Sequence, residues 1–258
     1  MKIYRSSWKK HFKTIYANLI VLTMWYVLHA SLKSAVIPSP FDTIENFIII
    51  FPKVLLPHLL VSLWRITVAV IFSLILGVII GVWIGVNKKA DDFISPIVYI
   101  LYPLPKIAFL PILMILWGLG DIPKIALIII IVIFQIILGA RDGVKEIPKE
   151  LMMSVKSLGL ARSQVYRHLI LPAILPKLFT ALRLSIGVSI AVLFFAENFA
   201  TSYGIGYFIM NSWSMVNYLE MFSGIVGLGL LGFILFTVID LCEDKLCRWV
   251  KVGKNTLI

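Results

Sequence analysis

Glu197 stands in the run VLFFAENFA (192–200), where every residue before it is apolar. A carboxylate in such a run is costly to bury, and groups of this kind mark solute paths, gates or bonds between helices. Arg183 cannot answer it from the same helix, because fourteen residues of rise separate them by about 21 Å. Other chemistry is scarce. His11, His29, His58 and His168 are scattered, and no H-E-x-x-H or G-x-S-x-G occurs, so neither a metal-hydrolase pair nor an acyl-transfer nucleophile can be assembled from motifs. The G-x-x-x-x-G-K-[ST] phosphate loop is missing, which excludes ATP binding of the P-loop kind. Cys242 and Cys247 lie along one helix flank in a basic tail and read as reduced thiols without a metal or redox role. The chain is therefore not read as an enzyme, and no catalytic residue, metal or cofactor is assigned.

The remaining polar residues would act on a passing solute. Glu197 is the leading candidate for a path or gate, with a structural bond to another helix as the alternative. Gln135, inside an apolar run, is a second candidate. Lys106 sits among Pro96, Pro103, Pro105 and Pro111, each of which removes a donor and bends or breaks a helix. Broken helices at membrane depth are tolerated where protein or a water-filled cavity satisfies the backbone. Lys106 there either attracts an anion or reaches for an interface. Tyr203 begins YGIGYFI, two glycines between tyrosines, which reads as a tight re-entry near a gate. Arg65 and Arg183, near span ends, read as cations snorkelling to the interface.

The elements that hold these residues follow from composition. Of 258 residues, 60% are hydrophobic and 14% charged, against roughly half and a quarter in a soluble domain. The apolar residues form long runs without period-two alternation, so the expected class is all-α integral membrane protein in one domain, 1–258. Six spans are expected, at about 15–32, 60–86, 93–116, 125–140, 178–199 and 221–241. The basic N-terminal run resembles a signal peptide, but its apolar stretch is long and lacks a cleavage site, so it reads as a retained span.

Net charge is +11. Its residues cluster in the N-terminal tail, at Lys88–Lys89, across 141–177 and in the C-terminal tail, while Lys33, Lys53 and Lys124 lie on the other side. Positive connections stay cytoplasmic, so both termini and the 141–177 segment are expected inside, and nucleic-acid binding is set aside. Gly77, Gly81 and Gly85 repeat every four residues, a spacing that lets helix backbones approach closely in lipid.

The cytoplasmic segment has its own pattern. Glu146 to Gly159 reads as a helix, with Pro148 in the first position and acids near the positive end of its dipole. Leu151, Val155 and Leu158, with Met152 beside them, form an apolar stripe. Gly159 suits the left-handed residue beyond its end. A second short helix, about Arg162 to Leu169, is expected to stop at Pro172. On these properties alone, a helix lying on the bilayer surface and a docking helix for a soluble partner are both open.

A resemblance separates them. SLGLARSQVYRHLILPAILP (157–176) resembles the cytoplasmic EAA loop of ABC-importer permeases, with Gly159 as the loop glycine and Leu171–Pro172 as the downstream Leu-Pro pair. The family's acid-Ala-Ala triplet falls on Met153, Ser154 and Val155 and is not kept. VIPSPFDTI, PLPKIAFLPILMILWGLGDIPKI, LRLSIGVSIAVLFFAEN and YGIGYFI are similar to the permeases of nitrate, sulfonate, taurine and thiamine-precursor importers, over roughly residues 37–250. The resemblance implies a type I ABC-importer permease fold in a bacterial-type inner membrane. It implies a separate ATPase subunit, an extracytoplasmic substrate-binding protein and a second permease subunit, usually identical. Coupling to the ATPase would fall on Leu151, Met152, Met153, Ser154, Val155, Leu158, Gly159, Arg162 and Pro172. The solute would be a small anion such as nitrate, sulfonate or taurine, or a thiamine-precursor-like compound. An ATP-independent carrier or channel is the alternative.

Overall fold

Hydrocarbon offers no hydrogen-bond partner, so a chain this apolar must satisfy its backbone within each segment. The protein, described here from a computed structural model, is helical almost throughout. The structure describes residues 3–249, with side chains for 16–249 except Lys156. The side chains of Lys2, Arg5, Lys9, Lys10, Lys13, Lys156, Lys251 and Lys254, which carry part of the charge argument, lie outside what is described.

After α1 (Ile3–Leu32) comes α2 (Pro40–Ile50), capped by Ser39, whose Oγ accepts the Asp42 N–H at 3.1 Å. A single π turn (Phe51–Leu55) joins it to α3 (Leu56–Val86), so one apolar helix runs from Pro40 to Val86. The sequence placed only 60–86 in a span. Pro52 and Pro57 do not interrupt the helix, because the wide i→i+5 turn takes the hydrogen-bond ladder out of α register where a donor is missing.

The third span is broken, as its prolines imply. α4 (Lys88–Leu101) meets a 3₁₀ turn (Lys106–Phe109) and α5 (Leu110–Trp117) with a bend of 82° at Tyr102–Pro105. Pro96 sits inside α4 without ending it, and Pro111 opens the first turn of α5, where its lost N–H costs nothing.

α6 (Asp121–Lys145) is longer at both ends than expected. Consequently Glu146 caps α6, and the short helix α7 starts later than expected, at Lys149, ending at Ser157. Pro148 precedes it, and its carbonyl accepts the Met152 N–H at 3.2 Å.

The expectation that Pro172 stops the next helix is wrong. α8 (Arg162–Val165) passes through a second π turn (Tyr166–Ile170) into α9 (Leu171–Glu197), making one helix from Arg162 to Glu197. The Leu171 N–H bonds to the Tyr166 carbonyl, five residues back, immediately before Pro172. α10 (Ile205–Ser214) and α11 (Tyr218–Leu246) complete the chain. Among the described residues, four helices are long and apolar enough to cross a membrane, or five with the bent α4–α5 pair, while the apolar part of α1, Tyr16–Leu32, is shorter.

Lipid tails are as apolar as leucine, so these helices are held by close packing and not by expulsion of water. α3 and α6 run parallel. A Cβ on Gly77, Gly81 or Gly85 would lie within 3 Å of Ile136, Ala140 or Val144, so the glycine ridge is the contact surface. α9 packs antiparallel on α6 through Gly139 against Ala181 and Gly143 against Ile174. Arg183 of α9 does not snorkel; it pairs with Asp240 at 2.8 Å and with Glu243, both on α11. Near the start of α4, Asp91 accepts from Arg141 Nε at 2.6 Å, Ser95 Oγ at 2.6 Å and Lys145, pinning α4 to α6.

The α3–α6 contact gives a differential test. A methyl on Gly81 would stand 2.5 Å from the Ile137 carbonyl oxygen, whereas one on Gly229 meets nothing within 4 Å. Gly81→Ala should cost about 1–3 kcal/mol through overpacking, read as a lowered unfolding temperature of the detergent-purified protein. Gly229→Ala should be neutral or slightly stabilising, and equal effects at the two positions would contradict the packing assignment.

Candidate functional site

The end of α3 remote from α7 carries a charge network that single-sequence reasoning did not assemble. Ser62 and Arg65 lie three residues apart and so share one face of α3. Asp121 opens α6, and Glu197 closes α9. Glu197 and Arg65 are 0% and 4% exposed. The Arg65 guanidinium divides its donors. Nη1 reaches Glu197 Oε1 at 2.6 Å and the Tyr203 carbonyl at 2.9 Å, while Nε and Nη2 both donate to Asp121 Oδ1, at 2.9 and 2.6 Å. Arg65 thus pairs inside the protein, which corrects the expectation of a snorkelling cation. The planar fork suits this task, since one side chain presents five donors in fixed directions.

Glu197 is answered by more than arginine. Ser62 Oγ donates to Oε1 at 2.8 Å, and the Gly206 N–H donates to Oε2 at 2.8 Å. Ser62 in turn accepts the Ile205 N–H at 2.9 Å, and His58 Nδ1 accepts the Gly204 N–H at 3.0 Å. The first residues of α10 therefore aim their free amides at groups of α3 and α9, as helix N-termini do for anions. The glycines of YGIG are explained by the same contact. Gly204 has φ +141°, and a Cβ there would overlap the Glu197 carboxylate; one on Gly206 would lie 2.7 Å from the Phe194 carbonyl. Tyr203 itself is exposed, its ring 5.4 Å from that of His58.

Lys124, 1% exposed, donates to the Gly120 carbonyl at 2.9 Å and adds a second cation near Arg65, Asp121 and Glu197. Two cations and two carboxylates make the cluster formally neutral, and Asp121, with its side chain 49% exposed, is the member open to solvent. The middle of the Pro40–Val86 helix, the start of α6, the end of α9 and the start of α10 are thus joined in one network. The other path candidates are not part of it. Gln135 accepts from Ser185 Oγ at 2.9 Å and so links α6 to α9. Lys106 lies in the α4–α5 break.

At the opposite end, α7 divides its apolar stripe. Met152 packs against the core, and Val155 is half-buried. Leu151, Met153 and Leu158 are exposed, at 46%, 67% and 74%. Ser154 Oγ turns back to the Glu150 carbonyl at 2.8 Å. Gly159 has φ +67° with open space about it, so the left-handed backbone alone requires the glycine. Arg162 is exposed at the start of α8, where the Gln164 side chain accepts the Ala161 N–H at 2.9 Å.

The pattern of the family described as "Binding-protein-dependent transport system inner membrane component" matches residues 73–252. The taurine transport system permease protein TauC of Escherichia coli (strain K12) is 27% identical, over 89% of this chain and 86% of its own length. The nitrate import permease protein NrtB of Synechocystis is 26% identical, over 88% and 86%. A chain of the MetNI methionine ABC transporter, in an inward-facing conformation, superposes with a TM-score of 0.65 at 21% identity, covering 74% of this chain and 95% of that one.

The network predicts a graded response. Removing one member of a buried pair costs roughly 3–5 kcal/mol, because the other charge stays buried. Glu197→Ala should show that loss as a lowered unfolding temperature in detergent. Glu197→Gln, which keeps one acceptor, should lose less, and Asp121→Asn, at the solvent edge, least. A loss for Asp121→Asn as large as that for Glu197→Ala would contradict the arrangement.

Proposed function

The chain belongs to the inner membrane components of binding-protein-dependent transport systems, and we propose that it forms the translocation path of an ATP-driven importer in a bacterial-type inner membrane. In such transporters the ATPase is a separate subunit, so this chain is a permease and not an enzyme. Its partners on this reading are that ATPase on the cytoplasmic side, a substrate-binding protein outside, a second permease copy, and lipid. Both termini and α7 would face the cytoplasm, in keeping with the basic connections. The solute is a small compound bearing an oxyanion group, of the nitrate, sulfonate or taurine kind. The relatives that transport taurine and nitrate support that class, and a thiamine-precursor-like compound is the other solute that the resemblance admits.

The observation that carries the coupling role is α7 with its glycine. A short helix and the turn after it present Leu151, Met153 and Leu158 outward, Met152 moors the helix, and the turn closes at Gly159 with φ +67°. Ser154 and Val155 complete its surface. Such a face suits a helix-in-groove contact. An ATP-independent carrier or channel would give it no occupant, and family membership argues against one.

Movement at this face has a direct route across the molecule. α8 and α9 are one helix from Arg162 to Glu197, about 50 Å at 1.5 Å per residue. Pro172 lies within that rod. A shift of α7 and α8 with the ATPase would therefore be felt at Glu197, where α9 is tied to α3 and α10. Closing the ATPase pair around ATP would favour one arrangement of this far end and hydrolysis the other, a two-state equilibrium biased by differential binding. Glu197 and Tyr203 then act at the gate, and Gln135 on the shaft between α6 and α9.

Substitution at Gly159 tests this. A β-branched residue resists the left-handed region, whereas asparagine visits it readily. In proteoliposomes with the ATPase and the binding protein, Gly159→Val should leave insertion intact and reduce uptake per ATP hydrolysed several-fold, and Gly159→Asn should retain most coupling. Undiminished transport by Gly159→Val would refute the coupling role.

A further inference from the structure

The α4–α5 elbow breaks the backbone at mid-depth. α4 rises about 20 Å between Lys88 and Leu101, and the elbow then meets Phe134, which lies about 20 Å along α6 from Asp121 and about 17 Å from Lys145. Non-helical backbone at that depth must be covered by protein or reached by water. On this chain the elbow is uncovered: Tyr102 and Leu104 are 44% and 43% exposed, and Pro103 and Pro105 are exposed beside them.

Lys106 occupies the break and is itself 8% exposed. Its Nζ donates to the Tyr102 carbonyl at 2.8 Å and lies 4.7 Å from the centre of the Phe134 ring and 5.7 Å from that of Tyr102. The other interior cations are matched by carboxylates. Arg65 has Glu197 and Asp121, Arg183 has Asp240 and Glu243, and Arg141 has Asp91. Lys124 lies in the field of Asp121 and Glu197. Lys106 has no carboxylate among the described residues; a carbonyl dipole and two ring faces hold it without cancelling its charge. An ammonium carries three donors, and one is used.

We propose that Lys106 is the charge-selecting residue of the transport path, a fixed cation at mid-depth that takes a small monovalent oxyanion of the sulfonate or nitrate type as its transient partner. The proposal rests on the permease reading, and the elbow then faces water in the path between the two permease copies. The geometry suits exchange. Tyr102 and Phe134 keep the ammonium in place when no anion is present, and neither supplies a negative charge that a passing anion would have to displace. The bond to Tyr102 also caps the last turn of α4, but a cap alone confers no preference between anions and cations in the path.

The test uses the full chain assembled with its ATPase in proteoliposomes, with Cys242→Ser and Cys247→Ser removing the native thiols. Leu104→Cys, two residues from Lys106, places a reporter thiol on the elbow. Its reaction rates with the anionic 2-sulfonatoethyl and the cationic trimethylammonioethyl methanethiosulfonates give an anion-to-cation ratio. Replacing Lys106 by Gln should lower that ratio about tenfold, the effect of one unit charge at close range in a partly aqueous site, and Lys106→Arg should preserve it. A ratio unchanged by Lys106→Gln, or a thiol inert to both reagents with and without ATP, overturns the proposal. ATPase stimulation by the binding protein, measured in the same vesicles, tests the importer reading separately. A charge-dependent ratio without stimulation would sink that reading and leave Lys106 as an anion site.

Discussion

In hydrocarbon a buried charge has to find its partner inside the protein, and Arg65 finds two. Its guanidinium joins Glu197 at the end of α9 to Asp121 at the start of α6, and its remaining reach takes in the Tyr203 carbonyl before α10. Three stretches far apart in the sequence, around 65, 121 and 197–203, are held at one end of the bundle by a single side chain. The backbone follows from this. Gly204 and Gly206 are glycines because the Glu197 carboxylate and the Phe194 carbonyl occupy the space a Cβ would need. Such an arrangement contributes specificity more than net stability, since desolvating the charges offsets most of their attraction.

The rest of the bundle connects that end to the opposite one. α3 and α6 lie in direct backbone contact along the Gly77, Gly81 and Gly85 ridge and so form a stiff pair. α9 crosses this pair and extends beyond it to the loop that carries α7. The π turn before Pro172 is what makes the extension possible. A proline in α register would have ended the helix and cut the segment carrying α7 from the Glu197 end; a widened turn keeps one rod. The 82° elbow between α4 and α5 is the opposite solution, a break that is kept, and it places Lys106 against Phe134, midway along α6.

Much of this was legible in the residues. The apolar runs, the broken third span, the glycine ridge and the left-handed Gly159 each follow from local chemistry. Glu197 also announced itself, because a carboxylate in an apolar run has to be used. Its partner did not. Arg65 is 132 residues away, and by position alone it reads as a snorkelling cation near a span end. Ser62 and Arg65 at i, i+3 were the available hint of a polar face. Pro172 misled for a local reason: proline rules describe an α ladder, and the ladder here changes register one residue earlier.

The sequence by itself determined the class of protein, the positions of most long apolar helices and the chemistry of the loop that carries α7, because hydropathy, helix-breaking residues and backbone preference act over a few residues. The tertiary structure decided which charge answers which, where each helix truly ends, and which side of α7 is free. Those depend on contacts between residues far apart in the chain, and in a medium without water each such contact is settled by what the rest of the fold brings within reach.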